Sequence, residues 1–176
     1  MAPIKFINTI KQRVIYILFI IFIIVISVFI YFYNCELENA KTLALSAEQG
    51  SAPAQFKIGL KYEKGDGVEK NDIEAMKWFK LAAEQGHVDA QYDLGIMYLK
   101  GKGVEKNDIE AMKWFKLAAE QGDAEAQYNL GIMYAKGTGE NNAGDIVKAI
   151  KWFKLAAEQG DTRAIKMLER IEAVFN

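Results

Sequence analysis

The chain has 176 residues, of which 51% are hydrophobic and 26% are charged, and its formal net charge is −1. With 22 basic residues against 23 acidic ones there is no concentrated positive field, which excludes nucleic acid as the main partner. A single cysteine excludes an intramolecular disulfide, and a single histidine excludes a metal site built from several histidines.

The first predicted element is the apolar run Val14–Tyr33, in which Ser27 is the only clearly polar residue. As a helix this run would extend ~30 Å, which is the thickness of the hydrocarbon core of a bilayer. We therefore predict one transmembrane helix at residues 14–33. The main alternative is a cleaved signal peptide, but its apolar stretch is usually ~7–15 residues long and ends in small residues, whereas this run ends in bulky ones.

The flanks of this run predict its orientation. The preceding tail, residues 1–13, contains Lys5, Lys11 and Arg13, whereas two glutamates follow the run. Basic residues stay on the cytoplasmic side of a membrane. The sequence therefore predicts a single-pass protein with a cytoplasmic N-terminus and with its repeats outside the cytoplasm, as for a bacterial inner-membrane protein that faces the periplasm.

Residues 34–50 are predicted to form a short linker and an N-terminal half-repeat, because Glu38–Gln49 aligns with the second helix of the repeats that follow. The linker contains the one cysteine, Cys35. The residues before Cys35 are too bulky for lipoprotein processing, so an intermolecular disulfide is the better alternative. A homodimer through the anchor or through Cys35 is therefore one predicted partnership.

A block of twelve residues then defines the repeats: Ala75–Gly86 recurs letter for letter at Ala111–Gly122 and with one change at Ala149–Gly160. The spacings of 36 and 38 residues predict a helical solenoid. Each repeat is predicted to contain a helix A, a Gly-x-Gly turn and a helix B. In the second repeat these helices are predicted at Val88–Lys100 and Asp108–Gln121. The predicted repeats are residues 51–86, 87–122 and 123–160.

Two local signals support these helices. Each helix A contains a glycine (Gly59, Gly95, Gly131), which costs ~1 kcal/mol relative to alanine. We predict that the close backbone approach of a crossing helix offsets this cost. Asn107, followed by Glu110, has the form of a capping box at the start of helix B.

The last segment, residues 161–176, is predicted to be a C-terminal capping helix. Lys166, Glu169 and Arg170 replace the apolar or small residues that the third repeat has at the aligned positions. A polar end surface prevents the stacking of a solenoid on other molecules.

The repeats closely resemble the Sel1-like repeat, a relative of the tetratricopeptide repeat. The resemblance covers about Glu38 to the C-terminus and is carried by Ala90, Leu94, Gly95, Tyr98, Gly101, Gly103 and Val104, followed by Ala111, Trp114, Phe115, Ala118, Ala119 and Gly122. It implies an all-α, right-handed α-solenoid whose concave face, formed largely by helix A, binds proteins or peptides.

This chain departs from the family pattern in two respects. The third loop, Gly137–Asp145, is longer and has Glu140 in place of valine, and the chain lacks paired cysteines. The cysteine-rich branch of the family is therefore a poor guide to its properties.

No pattern in the sequence predicts a catalytic, cofactor or metal site. His87 aligns with Ser51, Asp123 and Asp161, so we predict that it caps the next helix. The Gly-x-Gly turns follow helices and lack the lysine of a P-loop, which favours helix C-caps over phosphate loops. The recurring tryptophans are predicted to be core residues rather than a carbohydrate platform. They are Trp78, Trp114 and Trp152.

The predicted partner-binding surface is a stripe of helix A that we expect to be exposed on the concave face, where the repeats differ most from one another. The alternative is that this stripe is only a solvated face. The predicted residues are Lys57, Lys61, Lys64, Asp93, Met97, Lys100, Asn129, Met133 and Lys136.

The sequence thus predicts a membrane-anchored, non-enzymatic adaptor that binds a protein or peptide outside the cytoplasm. Two alternatives remain. One is a cell-envelope factor that recognises peptidoglycan or another glycan, and the other is a structural spacer or self-associating module.

Overall fold

The computed structural model of the chain describes residues 2–138 and 144–175, and these residues form eight helices and no strand. Residues 139–143, which include Glu140 of the long third loop, lie outside the described residues. The architecture is all-α, as predicted. The helices are α1 (Ala2–Glu48), α2 (Ala52–Lys64), α3 (Asp72–Glu84), α4 (Val88–Lys100), α5 (Asp108–Glu120), α6 (Ala124–Lys136), α7 (Ile146–Glu158) and α8 (Thr162–Phe175).

The chain divides into two compact units between Leu43 and Ala44, and α1 accounts for the first. No glycine or proline lies between Asn34 and Glu48, so the helix continues through the segment that was predicted to begin with a linker. The apolar side chains of residues 16–33 are exposed. A helix of this length and composition is able to cross a membrane, a property that it shares with signal sequences.

The second unit is a succession of helix pairs. Within each pair the first helix packs on the second: α2 on α3, α4 on α5 and α6 on α7. Each second helix also packs on the helix that follows it, so that α8 lies against α7. We call α2, α4 and α6 the A helices and α3, α5 and α7 the B helices.

Local caps determine where the B helices begin. The Oδ1 atom of Asn107 accepts hydrogen bonds from the N–H groups of Ile109 and Glu110 at 3.1 and 3.0 Å. This half of the predicted capping box is confirmed. The reciprocal half does not form, because the N–H of Asn107 donates to the carbonyl of Tyr98 and Glu110 pairs with Lys113.

Two of the three A helices, α4 and α6, begin at a side-chain cap, and all three A helices end at a glycine. The Nδ1 atom of His87 accepts a hydrogen bond from the N–H of Ala90 at 3.4 Å, which confirms the predicted capping role of this histidine. Ser51, at the aligned position in the first repeat, makes no such bond. Gly101 ends α4 with a φ of 68°, in the left-handed region that favours glycine.

The core is built from one phenylalanine per repeat that lies on the glycine of helix A. Phe115 is 0% exposed, and a Cβ atom placed on Gly95 would lie 2.7 Å from its ring. The same pairing joins Phe79 to Gly59 and Phe153 to Gly131. Our prediction that a crossing backbone approaches this glycine was therefore wrong, because the approaching group is an aromatic ring.

The predicted core position of the tryptophans is confirmed in part. Trp114 is 7% exposed, whereas Trp78 and Trp152 are half-buried. The tryptophan side chain is therefore most buried in the middle repeat, which has a repeat on each side.

A ladder of buried glutamines joins consecutive repeats. Gln91 is 4% exposed; its Nε2 atom donates to the carbonyl of Ala83 at 3.1 Å, and its Oε1 atom accepts from Nε2 of Gln121 at 2.7 Å. One side chain thus ties α4 to the helix before it and the helix after it. Gln127 and Gln55 make the corresponding bonds, and the carbonyl used by Gln55 belongs to Ala47 in the last turn of α1.

This ladder explains two features of the ends of the second unit. The last turn of α1 supplies the carbonyl that a preceding helix B supplies elsewhere, as a half-repeat would. At the other end, Ile165 of α8 occupies the position that aligns with Gln127. An isoleucine side chain makes no hydrogen bond, so among the described residues Gln127 is the last glutamine of the ladder.

The Gly-x-Gly turns provide a test of how consecutive repeats contact each other. Gly103 and Gly67 have almost the same φ, 69° and 71°. A Cβ atom on Gly103 would overlap the carbonyl group of Asp72 in the preceding repeat, whereas the atom nearest to a Cβ on Gly67 would be Nζ of Lys61 at 3.8 Å.

We expect Gly67→Ala to lower the free energy of unfolding by ~1–2 kcal/mol, from left-handed strain alone. Gly103→Ala should lower it by a further ~1–3 kcal/mol, because the loop must move away from Asp72. Urea denaturation followed by circular dichroism measures both changes. Equal losses in the two variants would contradict this contact.

Candidate functional site

The candidate site is the helix A surface, which we define as the side chains of α2, α4 and α6 that are exposed or half-buried. The structure places seven of the nine predicted residues on it. Lys61, Asp93 and Asn129 are half-buried. The exposed residues are Lys57, Lys64, Lys100 and Lys136.

The other two predicted residues are not on this surface. Met97 is 1% exposed and Met133 is 4% exposed, so the prediction that they lie on an exposed stripe was wrong. Met97 packs with Ala75 and Phe79 of α3, because an A helix is also covered by the preceding helix B. Lys61 occupies the aligned position in the first repeat, where it is partly exposed and its Nζ atom lies 3.4 Å from Oδ2 of Asp66.

Near their N-termini α4 and α6 contact each other through side chains, and so do α6 and α8. The hydroxyl of Tyr92 donates to Oε2 of Glu125 at 2.8 Å, and burial followed by this carboxylate raises the pKa of Tyr92 above its usual range. The guanidinium of Arg163 lies 4.5 Å from the ring centroid of Tyr128. Sequence reasoning missed these contacts, although an aromatic residue recurs at this position at Phe56, Tyr92 and Tyr128.

An ion-pair cluster closes the opposite end of the first two A helices. Nζ of Lys102 lies 2.7 Å from Oε1 of Glu63 and 3.5 Å from Oδ1 of Asp72. The hydrogen bond to Glu63 raises the pKa of Lys102. Because Lys102 belongs to the second repeat and both acids to the first, the cluster joins the two repeats.

Asp93 is the carboxylate of this surface whose pKa departs most from its ordinary value. Burial, followed by repulsion from Glu63 and Asp89, raises the pKa of Asp93 to about 6, against the attraction of Lys102 and Lys64. The raised pKa means that the folded state binds a proton more tightly than the unfolded state does. The stabilisation of the folded state by this proton is complete at pH values below the pKa of Asp93 in the unfolded chain. It is lost as the pH rises through about 6.

We therefore expect Asp93→Asn to raise the free energy of unfolding at pH 7 by ~1–2 kcal/mol, because it removes a partly desolvated charge. Asparagine already occupies the aligned position in the third repeat, as Asn129. The gain should disappear near pH 3, where both states hold a protonated aspartate. Thermal denaturation at about pH 3 and pH 7 measures it, with Glu105→Gln on an exposed loop as the control. A gain that is the same at both pH values would contradict this assignment.

The arrangement supports binding better than catalysis. Within residues 2–138 and 144–175, no group of three His, Cys, Asp or Glu side chains is positioned to hold a metal ion. The histidine caps a helix, and Glu63, the carboxylate that acts most strongly on Asp93, is paired with Lys102. What the A helices offer is a series of charged and aliphatic side chains.

A solenoid of helix pairs with a variable surface on one helix of each pair defines a class of repeat protein that binds other proteins. The chain belongs to the Sel1 repeat family, whose model matches residues 52–87, 88–123 and 124–161. Proteins of this family generally mediate protein–protein interactions and are generally not catalytic.

Three solved structures are similar to this chain. A Sel1 repeat protein from Oxalobacter formigenes is 40% identical, with a TM-score of 0.68 over 75% of this chain and 98% of that one. The protective antigen c5321 from uropathogenic Escherichia coli is 42% identical, with a TM-score of 0.65 over 70% of this chain but only 26% of its own. Cysteine-rich protein B of Helicobacter pylori is 28% identical, with a TM-score of 0.50 over 52% of this chain and 68% of its own. None of the curated proteins matches the chain.

Proposed function

We propose that this protein is a membrane-anchored, non-enzymatic adaptor whose solenoid binds a protein or peptide on the helix A surface. The observation that carries the proposal is a contrast between the two kinds of helix. The B helices of the first two repeats are identical, whereas the aligned position on the A helices changes from Lys57 to Asp93 to Asn129. A uniform scaffold with a varied surface provides selectivity for one partner.

The proposed anchor is the apolar part of α1. Its side chains from residue 16 to residue 33 are exposed, and exposure of so much apolar surface to water is unfavourable by ~25 cal/mol per Å². A bilayer removes this cost. Basic residues precede the apolar part and glutamates follow it, which supports a cytoplasmic N-terminus and a solenoid outside the cytoplasm.

The proposed binding region is the central part of the helix A surface. The N-terminal halves of the A helices are already engaged in contacts between repeats, such as Tyr92 with Glu125. Asp93 and Asn129 are half-buried and the lysines at the ends of their helices, Lys100 and Lys136, are exposed, so a partner can reach these side chains. A partner that lies across the A helices would contact all three repeats.

The proposal is tested by site-specific photo-crosslinking in intact membranes. Probes replace Asp93 and Asn129 on the helix A surface, and a probe at the exposed Lys113 on a helix B is the matched control. We expect a discrete protein adduct from position 93 or 129 and none from position 113. Adducts of equal strength from all three positions, or none from any, would contradict the adaptor and favour a spacer or a glycan-binding role.

A further inference from the structure

Asp93 is a half-buried carboxyl group that has no partner of its own. Among the described residues it makes no hydrogen bond and no ion pair. It lies beside the ion-pair cluster of the first two repeats, in which Lys102 is held by Glu63 and Asp72 at 2.7 and 3.5 Å. An ionised Asp93 therefore lies next to acids, while the lysine of the cluster is bound to other carboxylates.

The charged groups that act on Asp93 come from both of the first two repeats. Glu63 and Lys64 are the last two residues of α2, and Lys102 lies in the loop after α4. Asp89 lies one helical turn before Asp93 on α4 itself. The two acids act on Asp93 more strongly than the two lysines do, so the field of these groups opposes its ionisation.

The other helices packed around α4 engage it through different groups. The first residue of α3, Asp72, faces Lys102, and α5 places the apolar ring of Phe115 on α4. The carboxylate that α6 presents to α4 is Glu125, which accepts a hydrogen bond from the hydroxyl of Tyr92. Both of these acids therefore already have a partner.

The junction between the second and third repeats provides an internal comparison. At this junction the residues aligned with the acidic pair and with its lysine are Leu99, Asn129 and Thr138. None of these side chains changes its charge between pH 5 and pH 8. Of the two junctions, only the first therefore has this titratable set.

Protonation changes what Asp93 can do at the first junction. An ionised carboxylate only accepts hydrogen bonds, whereas a protonated carboxyl group also has an O–H that donates. The ion pair with Lys102 uses Oε1 of Glu63, which leaves Oε2 to accept. Burial and the neighbouring acids raise the pKa of Asp93 to about 6, which supports a change of protonation state in mildly acidic solution.

We propose that Asp93 and Glu63 form a proton-dependent latch between the first two repeats. The protonated carboxyl group of Asp93 donates its O–H to the Glu63 carboxylate and holds α4 to α2, whereas the ionised group repels Glu63 and loosens the junction. The junction between the second and third repeats does not respond. This inference does not rest on the adaptor role, and its test needs no partner protein.

A double-mutant cycle of the full-length chain in a nonionic detergent tests the latch. The cycle combines Asp93→Ala with Glu63→Ala, and urea denaturation at pH 5 and pH 7.5 gives the unfolding equilibrium constants. We expect the two side chains to attract each other by at least twofold at pH 5 and to repel each other by at least twofold at pH 7.5. The matched control is the same cycle at the aligned pair, Leu99→Ala with Asn129→Ala, whose coupling should be equal at both pH values.

Hydrogen exchange locates the effect and uses a variant that keeps the shape of the side chain. A folded pKa of about 6 and an ordinary unfolded value of ~3.9 make the opening that releases Asp93 about tenfold less favourable at pH 5 than at pH 7.5. We therefore expect the protection factors of the amides in α2 and α4 to be about tenfold higher at pH 5. In Asp93→Asn they should change less than twofold.

Two results would overturn the latch. One is a coupling between positions 63 and 93 that does not change sign between the two pH values, because burial of Asp93 alone would then account for its titration. The other is a change in protection that persists in Asp93→Asn or that is as large in α6 as in α2.

Discussion

Replacement of Phe115 with alanine is expected to lower the free energy of unfolding by about 3–5 kcal/mol, a typical cost for a fully buried phenylalanine. Phe115 is 0% exposed and packs in a cluster with Ala111, Ala118 and Leu130. These neighbours are mostly small, so they have few rotamers with which to fill the space that the ring leaves. Urea denaturation of the full-length chain in detergent, followed by circular dichroism, measures the loss.

Leu117→Ala is the matched control for this variant. Leu117 belongs to the same helix but is 38% exposed, so its truncation should cost less than about 1 kcal/mol. If both variants lost the same stability, α5 would not bury the face that the structure assigns to it.

A double-mutant cycle makes the same contact more specific. Gly95→Ala alone should be destabilising, because the new Cβ atom would lie 2.7 Å from the ring of Phe115. In the Phe115→Ala background the obstacle is gone, and Gly95→Ala should instead stabilise α4 by up to ~1 kcal/mol through helix propensity. Additive effects would mean that the two residues are not in contact.

Interactions between residues close in sequence were the ones that could be predicted. The ends of α4 at Val88 and Lys100 agree with the prediction, and α5 ends at Glu120, one residue before the predicted end, because Gln121 forms the cap. Capping depends on side chains and glycines within three or four residues of the helix end. The residues that specify a helix cap therefore lie close to one another in the sequence.

The errors at the candidate site concern residues that contact a third helix. Met97 was predicted to lie on an exposed stripe, whereas the preceding helix B covers this position. The role of Gln91 was not predicted, because it depends on Ala83 in α3 and on Gln121 at the end of α5. The recurrence of methionine at 97 and 133, and of glutamine at 91 and 127, was a signal for both.

The charged state of Asp93 could not be predicted for the same reason. Its pKa depends on burial between helices and on Glu63 in the preceding repeat. Composition gives the number of carboxylates but not their distances from one another. The pKa of a carboxylate on the helix A surface therefore depends on how the repeats stack, which the sequence alone does not give.

The second large effect is expected from two arginines in the middle of the apolar part of α1. In Ile23→Arg/Ile24→Arg, each substitution should disfavour membrane insertion by about 3–4 kcal/mol, since arginine at the centre of a spanning helix costs ~2.5–3.5 kcal/mol and isoleucine contributes a favourable ~0.3–0.6 kcal/mol. The total of about 6–8 kcal/mol is comparable to the whole favourable free energy of the apolar run. We expect the variant to leave the carbonate-resistant membrane fraction, whereas the original chain remains in it.

The control for this variant is Asn39→Arg/Thr42→Arg, which adds the same charge to exposed positions of α1 beyond the apolar part. This chain should stay in the membrane fraction, because its arginines lie outside the hydrocarbon core. Protease added to spheroplasts tests the orientation of the anchor. We expect it to degrade the solenoid of the original chain and of the control variant and to leave the N-terminal tail protected. If the original chain were released in a shortened form, α1 would be a signal sequence. If the solenoid were protected, the proposed orientation would be reversed.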